Sequence, residues 1–442
     1  MIYEAESGDI EICLTGESLI SRKLSVFREE YFLKLREIIM NADVSFSNAE
    51  CLFQDYADYP NTYAGGGSGQ GTYMAAPPES IEELQWLGID IVSTANNHAS
   101  DFGDQGIISN LEFLEEAGMP HAGTGMNLAE ARAPAYLDNP KGRIALMAAA
   151  DWGPRGTGAQ PWPFPMGVMA GEQSPYSIGR PGCNLIRHST KFTVTKSVYE
   201  ELKTLAKNLF NVNEDNKQIH LFGSTFIVGK TFSMETIAEE EDLEENYKWM
   251  RDATQMADWT IFSFHNHGAS NSPELPSSHT RTLAKGLIDN GADIFIGHGP
   301  HRDRGIEIYN GKPIFYSLGD FILQNDTPQW IPYDVMKRFG LGHSDTPADF
   351  HEERKKRGWN SRVEGWESAI ATCKFTEKKL REISLYPIDL GMGLPRSIAG
   401  RPILAEPGSE VNERVLKRFQ DMSRPYGTEI SIEDGIGKIK VS

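Results

Sequence analysis

The sequence is poor in cysteine, has fewer basic than acidic residues and contains no long apolar run. Four of its 442 residues are cysteine, and no two of them are spaced as a CxxC pair. Such scattered cysteines argue against a disulfide framework and a metal–thiolate site, and they are typical of a reducing compartment. No window approaches 18 apolar residues, and the first residues lack the basic and apolar regions of a signal peptide. The sequence therefore predicts a soluble, cytoplasmic protein without a transmembrane helix.

The charge balance is acidic. Asp and Glu number 62 against 43 for Lys and Arg, which gives a formal net charge of −19. Proteins that bind nucleic acid or anionic membranes usually carry a basic surplus, so we expect neither as a partner. A polyanionic substrate would be repelled unless a local basic site or a metal cation compensates. The composition does not indicate an oligomeric state.

Apolar, β-rich runs alternate with helical patterns along most of the chain. Strands are predicted at residues 10–16, 89–95, 143–150, 258–264, 293–297, 367–377 and 380–390. Helices are predicted at residues 24–41, 81–88, 106–118, 244–257 and 280–292. This alternation is typical of an α/β fold built on βαβ units.

Stretches rich in glycine or proline divide the chain. Residues 64–71 read as a flexible glycine loop, residues 151–182 as a long ordered loop, and residues 351–358 as a solvated helix face. We predict three parts. The core comprises residues 8–150 and 246–390, and an inserted loop and subdomain comprise residues 151–245. A C-terminal extension, residues 391–442, packs on the core.

Polar side chains follow successive predicted strands, at the point where each strand ends. They are Glu17, Asn48, Glu50, Asn96, Asn97, His98 with Asp101 one turn on, His265, His267, His298, His301 and Asp320. In open α/β sheets, ligands gather beyond the carboxyl ends of the strands. Imidazole and carboxylate groups are ligands for divalent cations such as Zn, Fe and Mn. We therefore expect these side chains to share one site.

The turn "GHGPH" at residues 297–301 belongs to this set. Gly299 and Pro300 make the turn tight, so His298 and His301 contribute little to packing there. A rigid turn that directs two imidazoles to one place suits metal binding or proton transfer.

The order of these motifs resembles a known family. The segments "GESL", "NAE", "ANNHASDFG", "HNHG", "GHGPH" and "YSLGDF" are similar to the CapA/PgsA family, named for poly-γ-glutamate capsule biosynthesis. That family lies within the calcineurin-like metallophosphoesterase superfamily, and the similarity extends over nearly the full length. The resemblance implies a four-layered α/β sandwich, with two central sheets flanked by helices, and a site that usually holds two metals.

Carried over residue by residue, the metal motif is incomplete. Glu17 stands where the superfamily has its first Asp, and Leu19 occupies the place of the following histidine. Asp320 stands where the family commonly has Asn. One metal position keeps a complete set of ligands, namely Glu50, Asn97, His298 and either His265 or His267. The other position is reduced to Glu17, Glu50 and His301. The resemblance thus implies a divalent ion (Mn, Zn or Fe), one rather than two, with a metal-free site as the alternative.

Several functions are compatible with these residues. The first is a metal-dependent hydrolase that cleaves an amide bond, γ-glutamyl or peptide-like, in a small molecule or peptide that carries a carboxylate. The alternatives are a metal-independent peptide epimerase, a phosphoesterase and a non-catalytic capsule-synthesis protein. The assignments are catalytic roles for His98, Asp101, His265 and His301, with His98 as general acid positioned by Asp101, and metal-binding roles for Glu17, Glu50, Asn97, His267 and His298.

The candidate substrate-binding residues lie in one loop, "GRPGCNLIRH". It carries Arg180, Asn184 and Arg187 between Gly and Pro residues. Because arginine can bind a carboxylate with two parallel hydrogen bonds, we assign these three residues to substrate binding.

Overall fold

The computed structural model describes residues 8–60, 72–152, 168–210, 218–268, 270, 272–356 and 361–441. The predicted glycine loop at 64–71 therefore lies outside the described residues, as does the middle of the predicted loop at 151–182. The strands are β1 (Ile10–Leu19), β2 (Val44–Ala49), β3 (Leu52–Phe53), β4 (Ala75–Ala76), β5 (Ile91–Ser93), β6 (His121–Ala122), β7 (Thr124–Gly125), β8 (Ala135–Asn139), β9 (Gly142–Trp152), β10 (Gly171–Ser174), β11 (Ser177–Arg180), β12 (Gly182–Cys183), β13 (Leu185–Val194), β14 (Ile219–Leu221), β15 (Ser224–Val228), β16 (Ser233–Ala238), β17 (Trp259–His265), β18 (Ile294–His298), β19 (Ile306–Tyr309), β20 (Lys312–Phe315), β21 (Asp320–Leu323), β22 (Glu367–Thr376), β23 (Lys379–Asp389), β24 (Ile403–Leu404), β25 (Ser431–Glu433) and β26 (Ile436–Lys440).

The α-helices alternate with these strands in the first two thirds of the chain. They are α1 (Glu30–Asn41), α2 (Ser80–Leu87), α3 (Gly103–Glu116), α4 (Leu128–Arg132), α5 (Lys196–Phe210), α6 (Glu240–Met256), α7 (Ser278–Asp289), α8 (Tyr333–Arg338), α9 (Pro347–Lys355) and α10 (Glu410–Ser423). Within the described ranges, no helix has the length and apolar character needed to cross a membrane.

Most strands belong to two ten-stranded sheets. The first has the order β25-β26-β23-β22-β1-β2-β5-β6, with β21 paired to β1 and β24 to β23. The second has the order β14-β15-β13-β9-β17-β18-β20-β19, with β16 paired to β13 and β8 to β9. At the centre of each sheet the strands are parallel: β1, β2 and β5 in the first, and β9, β17 and β18 in the second. The predicted α/β class is confirmed.

Alternating side chains of the central strands enter different apolar clusters. Along β9, Ile144 and Leu146 pack in a cluster that also contains Ile12 and Phe46 of the first sheet. Met147, on the opposite face of β9, packs with residues of α6 and α7. A third cluster joins the first sheet to α1 and α2. The period of two along β9 therefore places one of its faces toward residues of the first sheet and the other toward α6 and α7.

Some predicted boundaries move. Helix α1 begins at Glu30 rather than at residue 24, and the backbone N–H groups of Leu24 and Ser25, which precede the helix, donate to the Glu83 carboxylate at 2.8 and 2.7 Å. The predicted solvated face at 351–358 is wrong at its start, since α9 buries His351 with 3% exposure.

The parts of the chain predicted as insertion and extension continue the two sheets. Strand β13 runs parallel to β9, and β14, β15 and β16 extend the second sheet from it. Helix α10 contributes Val415, Leu416 and Phe419 to the cluster between the sheets. The division into core, insertion and extension stays a prediction.

Candidate functional site

One carboxylate oxygen lies at the centre of four imidazoles. Oε1 of Glu50, the residue after β2, is 3.8 Å from Nε2 of His98, 3.7 Å from Nε2 of His265 and of His301, and 3.9 Å from Nε2 of His267. These separations are too long for hydrogen bonds. They exceed by only a few tenths of an ångström the ~3.3–3.6 Å that separates two ligands of a tetrahedral ion with bonds of ~2.0–2.2 Å, so the oxygen and several of these nitrogens are close enough to share a divalent ion.

The strand ends bring these residues together as expected. Strands β17 and β18 are parallel neighbours, and their last residues, His265 and His298, are register partners. The sequence left open which histidine of "HNHG" joins the site. The structure places both His265 and His267 beside Glu50, with the side chain of His267 still 17% exposed.

A second group of ligand atoms shares Glu50. Glu17, Glu50, His301 and Asp320 each offer one atom, and these atoms lie within 4.8 Å of one another. Nδ1 of His301 is 2.9 Å from Oδ1 of Asp320 and 3.4 Å from Oε2 of Glu17. Burial raises the pKa of Asp320 well above its usual value. Three buried carboxylates this close are costly unless protons or a cation compensate their charge.

Glycine makes this approach possible at two positions. A Cβ on Gly16 would lie 1.8 Å from the carbonyl oxygen of Gly319, so only glycine lets β1 approach the start of β21 closely. In that pairing Glu17 becomes the register partner of Asp320. Gly299 has φ +105°, and its N–H donates to Oε1 of Glu17 at 2.7 Å.

The backbone of the 297–301 turn is strained at its last histidine. His301 has φ +50°, which is the left-handed region and uncommon for a residue with a Cβ. Such a conformation costs ~1–3 kcal/mol and persists where the surroundings fix it, often at functional sites. The hydrogen bond from Nδ1 of His301 to Asp320 directs Nε2 toward Glu50.

His298 is the most isolated of the candidate ligands. It is 2% exposed, and neither ring nitrogen has a hydrogen-bond partner among the described residues. Burial lowers the pKa of His298 to about 3, so the ring is neutral at pH 7 and keeps a lone pair for an ion. It does not belong to the two groups of mutually close ligand atoms around Glu50.

The turn after β5 supplies an imidazole held by a carboxylate. Nδ1 of His98 is 2.6 Å from Oδ2 of Asp101, and the same oxygen accepts the N–H of Met74 at 2.8 Å. Asp101 is thus fixed and orients His98. Asn97 is buried in the same turn, next to His98.

The three residues assigned to substrate binding make their contacts elsewhere. Arg187 pairs with Asp242 through Nε at 2.8 Å and NH2 at 2.9 Å. Asn184 is fully buried, and its amide donates to Ala148 and Asn246. These two are therefore occupied within the protein. The exposed Arg180 donates to the carbonyl of Met169 at 2.8 Å.

A further polar cluster lies next to the candidate site. Asp151 accepts from Nδ1 of His188 at 2.7 Å and lies 3.2 Å from Nε2 of His279. The nearby charge of Asp151 raises the pKa of His188 against the opposing effect of burial, whereas burial lowers the pKa of His279. Nε2 of His279 is also 3.3 Å from the amide nitrogen of Asn266, which sits between His265 and His267.

Ring orientation distinguishes this cluster from the one around Glu50. His188 and His279 are stacked, with centroids 4.2 Å apart and planes 14° apart. Lone pairs of parallel rings run side by side and do not meet at one ion. The rings of His267 and His301 are instead tilted by 55° at 5.2 Å, which allows their nitrogens to converge. The Asp151 cluster is hydrogen-bonded to the Asn266 turn through His279, and its three residues also offer one ligand atom each within 4.8 Å of one another.

The sequence interpretation did not include Asp151 and His279. Asp151 carried a usable signal, because it follows the predicted strand at 143–150 directly. His279, the second residue of α7, lies 128 positions later, and no local pattern connects it to Asp151.

Comparisons with known proteins agree with the motifs. The family model described as "Bacterial capsule synthesis protein PGA_cap" matches residues 7–325. A protein of Sinorhizobium fredii, named uncharacterized protein y4sH, is 33% identical over 439 residues, which cover 96% of this chain and 92% of that protein. Capsule biosynthesis protein CapA of Bacillus anthracis is 20% identical over 328 residues, covering 73% of this chain and 61% of that protein. PGA biosynthesis protein CapA of Bacillus subtilis is 23% identical over 289 residues, covering 63% and 56%. The chain belongs to the PGA_cap family of bacterial capsule synthesis proteins.

Proposed function

We propose that this protein is a metal-dependent hydrolase that cleaves an amide bond, of γ-glutamyl or peptide-like type, in a substrate that carries a carboxylate. The observation that carries the proposal is the convergence of four imidazole nitrogens on one oxygen of Glu50, at separations that suit a divalent ion. The amide is favoured over a phosphoester because relatives are named for capsule and PGA biosynthesis.

Residues of both groups around Glu50 would hold the ion. The first group consists of Glu50, His265 and His267. The second group consists of Glu50 with Glu17, His301 and Asp320. We propose that one ion binds tightly at the first group, with Asn97 and His298 as further ligands, because the second group offers a single imidazole and Leu19 stands where the superfamily has a further histidine. When bound, a divalent ion supplies a water of lowered pKa and polarises the scissile carbonyl group.

The chain itself supplies proton transfer and orientation. His98 protonates the leaving amine, and Asp101 holds its ring in place through the 2.6 Å contact with Nδ1. His301, held by Asp320, orients its Nε2 toward Glu50. The N–H of Gly299 neutralises part of the charge on Glu17.

Two further features belong to the proposal. The distribution of apolar clusters supports a four-layered sandwich, in the order helices, sheet, sheet, helices. A cytoplasmic location is supported by the four cysteines, all of them free and buried.

The experiment combines metal analysis with an assay of amide cleavage. The purified protein is tested for bound metals by elemental mass spectrometry and for hydrolysis of γ-glutamyl-p-nitroanilide with and without chelator. We expect about one divalent ion per chain, and activity that chelator removes and metal restores. The variant His265→Ala should lose both. His121→Ala is the matched control, because that half-buried histidine bonds to the carbonyl of Met119, outside the cluster.

The alternatives give different results. Turnover of bis-p-nitrophenyl phosphate without amide cleavage would favour the phosphoesterase. Deuterium uptake at a peptide α-carbon in heavy water, after full chelation and with no bond cleaved, would favour the epimerase. Two stoichiometric ions would refute the single-ion assignment.

A further inference from the structure

A cavity of about 240 Å³ lies beside the loop that follows His267. It is bounded by β16, the loop at 272–276, the start of α7 and the turn at 424–426. Its lining residues include Met234, Leu275, Pro276, Ser278, Arg281 and Tyr426. Since a water molecule takes ~30 Å³ of liquid, this volume suits a group of roughly eight heavy atoms.

The cavity has one cationic wall. The guanidinium carbon of the exposed Arg281 lies 5.6 Å from the ring centroid of Tyr426. The Arg281 side chain also hydrogen-bonds to that of Tyr316, and no carboxylate of the described residues forms an ion pair with it. The hydroxyl of Tyr426 is buried and lacks a hydrogen-bond partner in the same part of the chain. An arginine without a counter-ion and a buried hydroxyl without a partner are the groups that a carboxylate would satisfy.

A second arginine adds positive charge next to the loop at 272–276. Arg304 is 6% exposed, and its Nε donates to the carbonyl of Pro273 at 3.3 Å. Arg302 is close to it and lies 3.9 Å from Glu274, the one acid of this loop. In a chain of net charge −19, three arginines around one loop form a local basic site.

The remaining walls combine aliphatic groups with the hydroxyls of Thr236, Ser270 and Ser278. Met234, Leu275 and Pro276 face the same space as Arg281. A free phosphate would leave these aliphatic groups without a partner, whereas a carboxylate on a short aliphatic chain would contact both them and the guanidinium.

The cavity adjoins the candidate site through two side chains. Thr236 lines the cavity, and its Oγ1 is 2.8 Å from Nδ1 of His279. Nε2 of His279 is 3.3 Å from the amide of Asn266, between His265 and His267. The cavity and the imidazole cluster are therefore neighbours across these buried side chains, and Ser270, three residues after His267, also lines the cavity.

We propose that this cavity binds the carboxylate-bearing end of the substrate, with Arg281 as the carboxylate partner and Tyr426 as a hydrogen-bond donor. This role was assigned from sequence to Arg180 and Arg187, and Arg187 is committed to Asp242. The assignment rests on the proposed function in one respect, namely that the substrate carries a carboxylate.

The test measures binding of glutarate, a five-carbon dicarboxylate, to the full chain by calorimetry in the presence of chelator. Glutaramide, its uncharged analogue, and inorganic phosphate are the comparison ligands. We expect glutarate to bind the wild type and to bind Arg281→Gln at least ~10-fold more weakly. Met234→Trp, which fills the cavity and keeps the arginine, should weaken binding similarly. The control Arg143→Gln, an exposed arginine paired with Asp138, should bind as the wild type does.

Several results would overturn the assignment. They are absence of glutarate binding, equal binding by Arg281→Gln, equal binding of glutaramide, and tighter binding of phosphate than of glutarate. Circular dichroism checks that the variants fold, and Arg281→Lys, which keeps the charge and loses the planar fork, should show an intermediate affinity. Because the measurement needs neither metal nor catalysis, Arg281-dependent binding would stand even if amide hydrolysis were never observed.

Discussion

Replacing His298 by leucine should stabilise the protein when no metal is present. Both ring nitrogens of His298 are buried and lack a hydrogen-bond partner among the described residues. An unsatisfied buried polar group costs ~1–3 kcal/mol. A hydrophobic exchange of similar volume costs less than ~1.5 kcal/mol, and the neighbouring ring of Phe46, 5.7 Å away, offers an apolar contact. We therefore expect His298→Leu in chelator to be more stable than the wild type by about 1–2 kcal/mol.

When a divalent ion is added, the wild type should become more stable than His298→Leu. At a free ion concentration of 100 Kd, binding stabilises the wild type by ~2.7 kcal/mol. If loss of the ligand raises Kd about 100-fold, the same ion concentration equals the new Kd and stabilises the variant by only ~0.4 kcal/mol. The gain from metal should thus fall by about 2 kcal/mol, and amide cleavage should be lost.

The assay is denaturant unfolding of both proteins with chelator and with Mn²⁺ or Zn²⁺. His121→Leu serves as control, because it removes a histidine that bonds to Met119 outside the cluster and should leave the gain from metal unchanged. A His298→Leu protein less stable than the wild type by more than 1 kcal/mol in chelator would show that His298 supports the fold. An unchanged gain from metal would show that His298 is not a ligand.

Three further substitutions test other parts of the argument. Asp101→Asn should lower the rate of amide cleavage ~10–100-fold without unfolding, since the asparagine oxygen can still accept the N–H of Met74; normal turnover would remove Asp101 as the positioning group of His98. Arg187→Ala should lower the free energy of unfolding by up to ~3–5 kcal/mol, because it leaves the fully buried Asp242 short of its main partner; glutarate binding should be unchanged, and its loss in a stable variant would restore the substrate role. Burial lowers the pKa of His351 to about 4, against ~6.5 in the unfolded chain. Between these two pH values the unfolded chain binds more protons than the folded one. The free energy of unfolding therefore falls as the pH falls through this range, by at most ~3 kcal/mol. His351→Gln should remove this part of the pH dependence, measured as the difference in unfolding free energy between pH 7 and pH 4.5, and an identical loss in both proteins would contradict the assignment.

Local pattern was sufficient for the α/β class and for the gathering of polar side chains. Strands such as β17 and β18 are short apolar runs followed by histidines, and parallel strands that end at one edge of a sheet must bring those residues together. Pairing of Glu50 with His265 and His301 follows from that rule. The catalytic and metal-binding roles of these residues stay predictions.

Contacts between distant segments required the tertiary structure. The choice between His265 and His267 was open because spacing does not give side-chain direction, and both proved to face Glu50. Arg187 looked available for a substrate until Asp242, 55 positions away, was seen to pair with it.

The cavity beside Arg281 is the clearest case of what only the tertiary structure decided. Its walls come from β16, the loop at 272–276, α7 and the turn at 424–426, so residues almost two hundred positions apart enclose it. The Asp151 cluster likewise joins residues from β9, β13 and α7. Sequence alone determined which residue types end each strand, because that is a local property of the chain. The partner that each side chain finds depends on how the two sheets and their helices pack, and packing is a property of the whole fold.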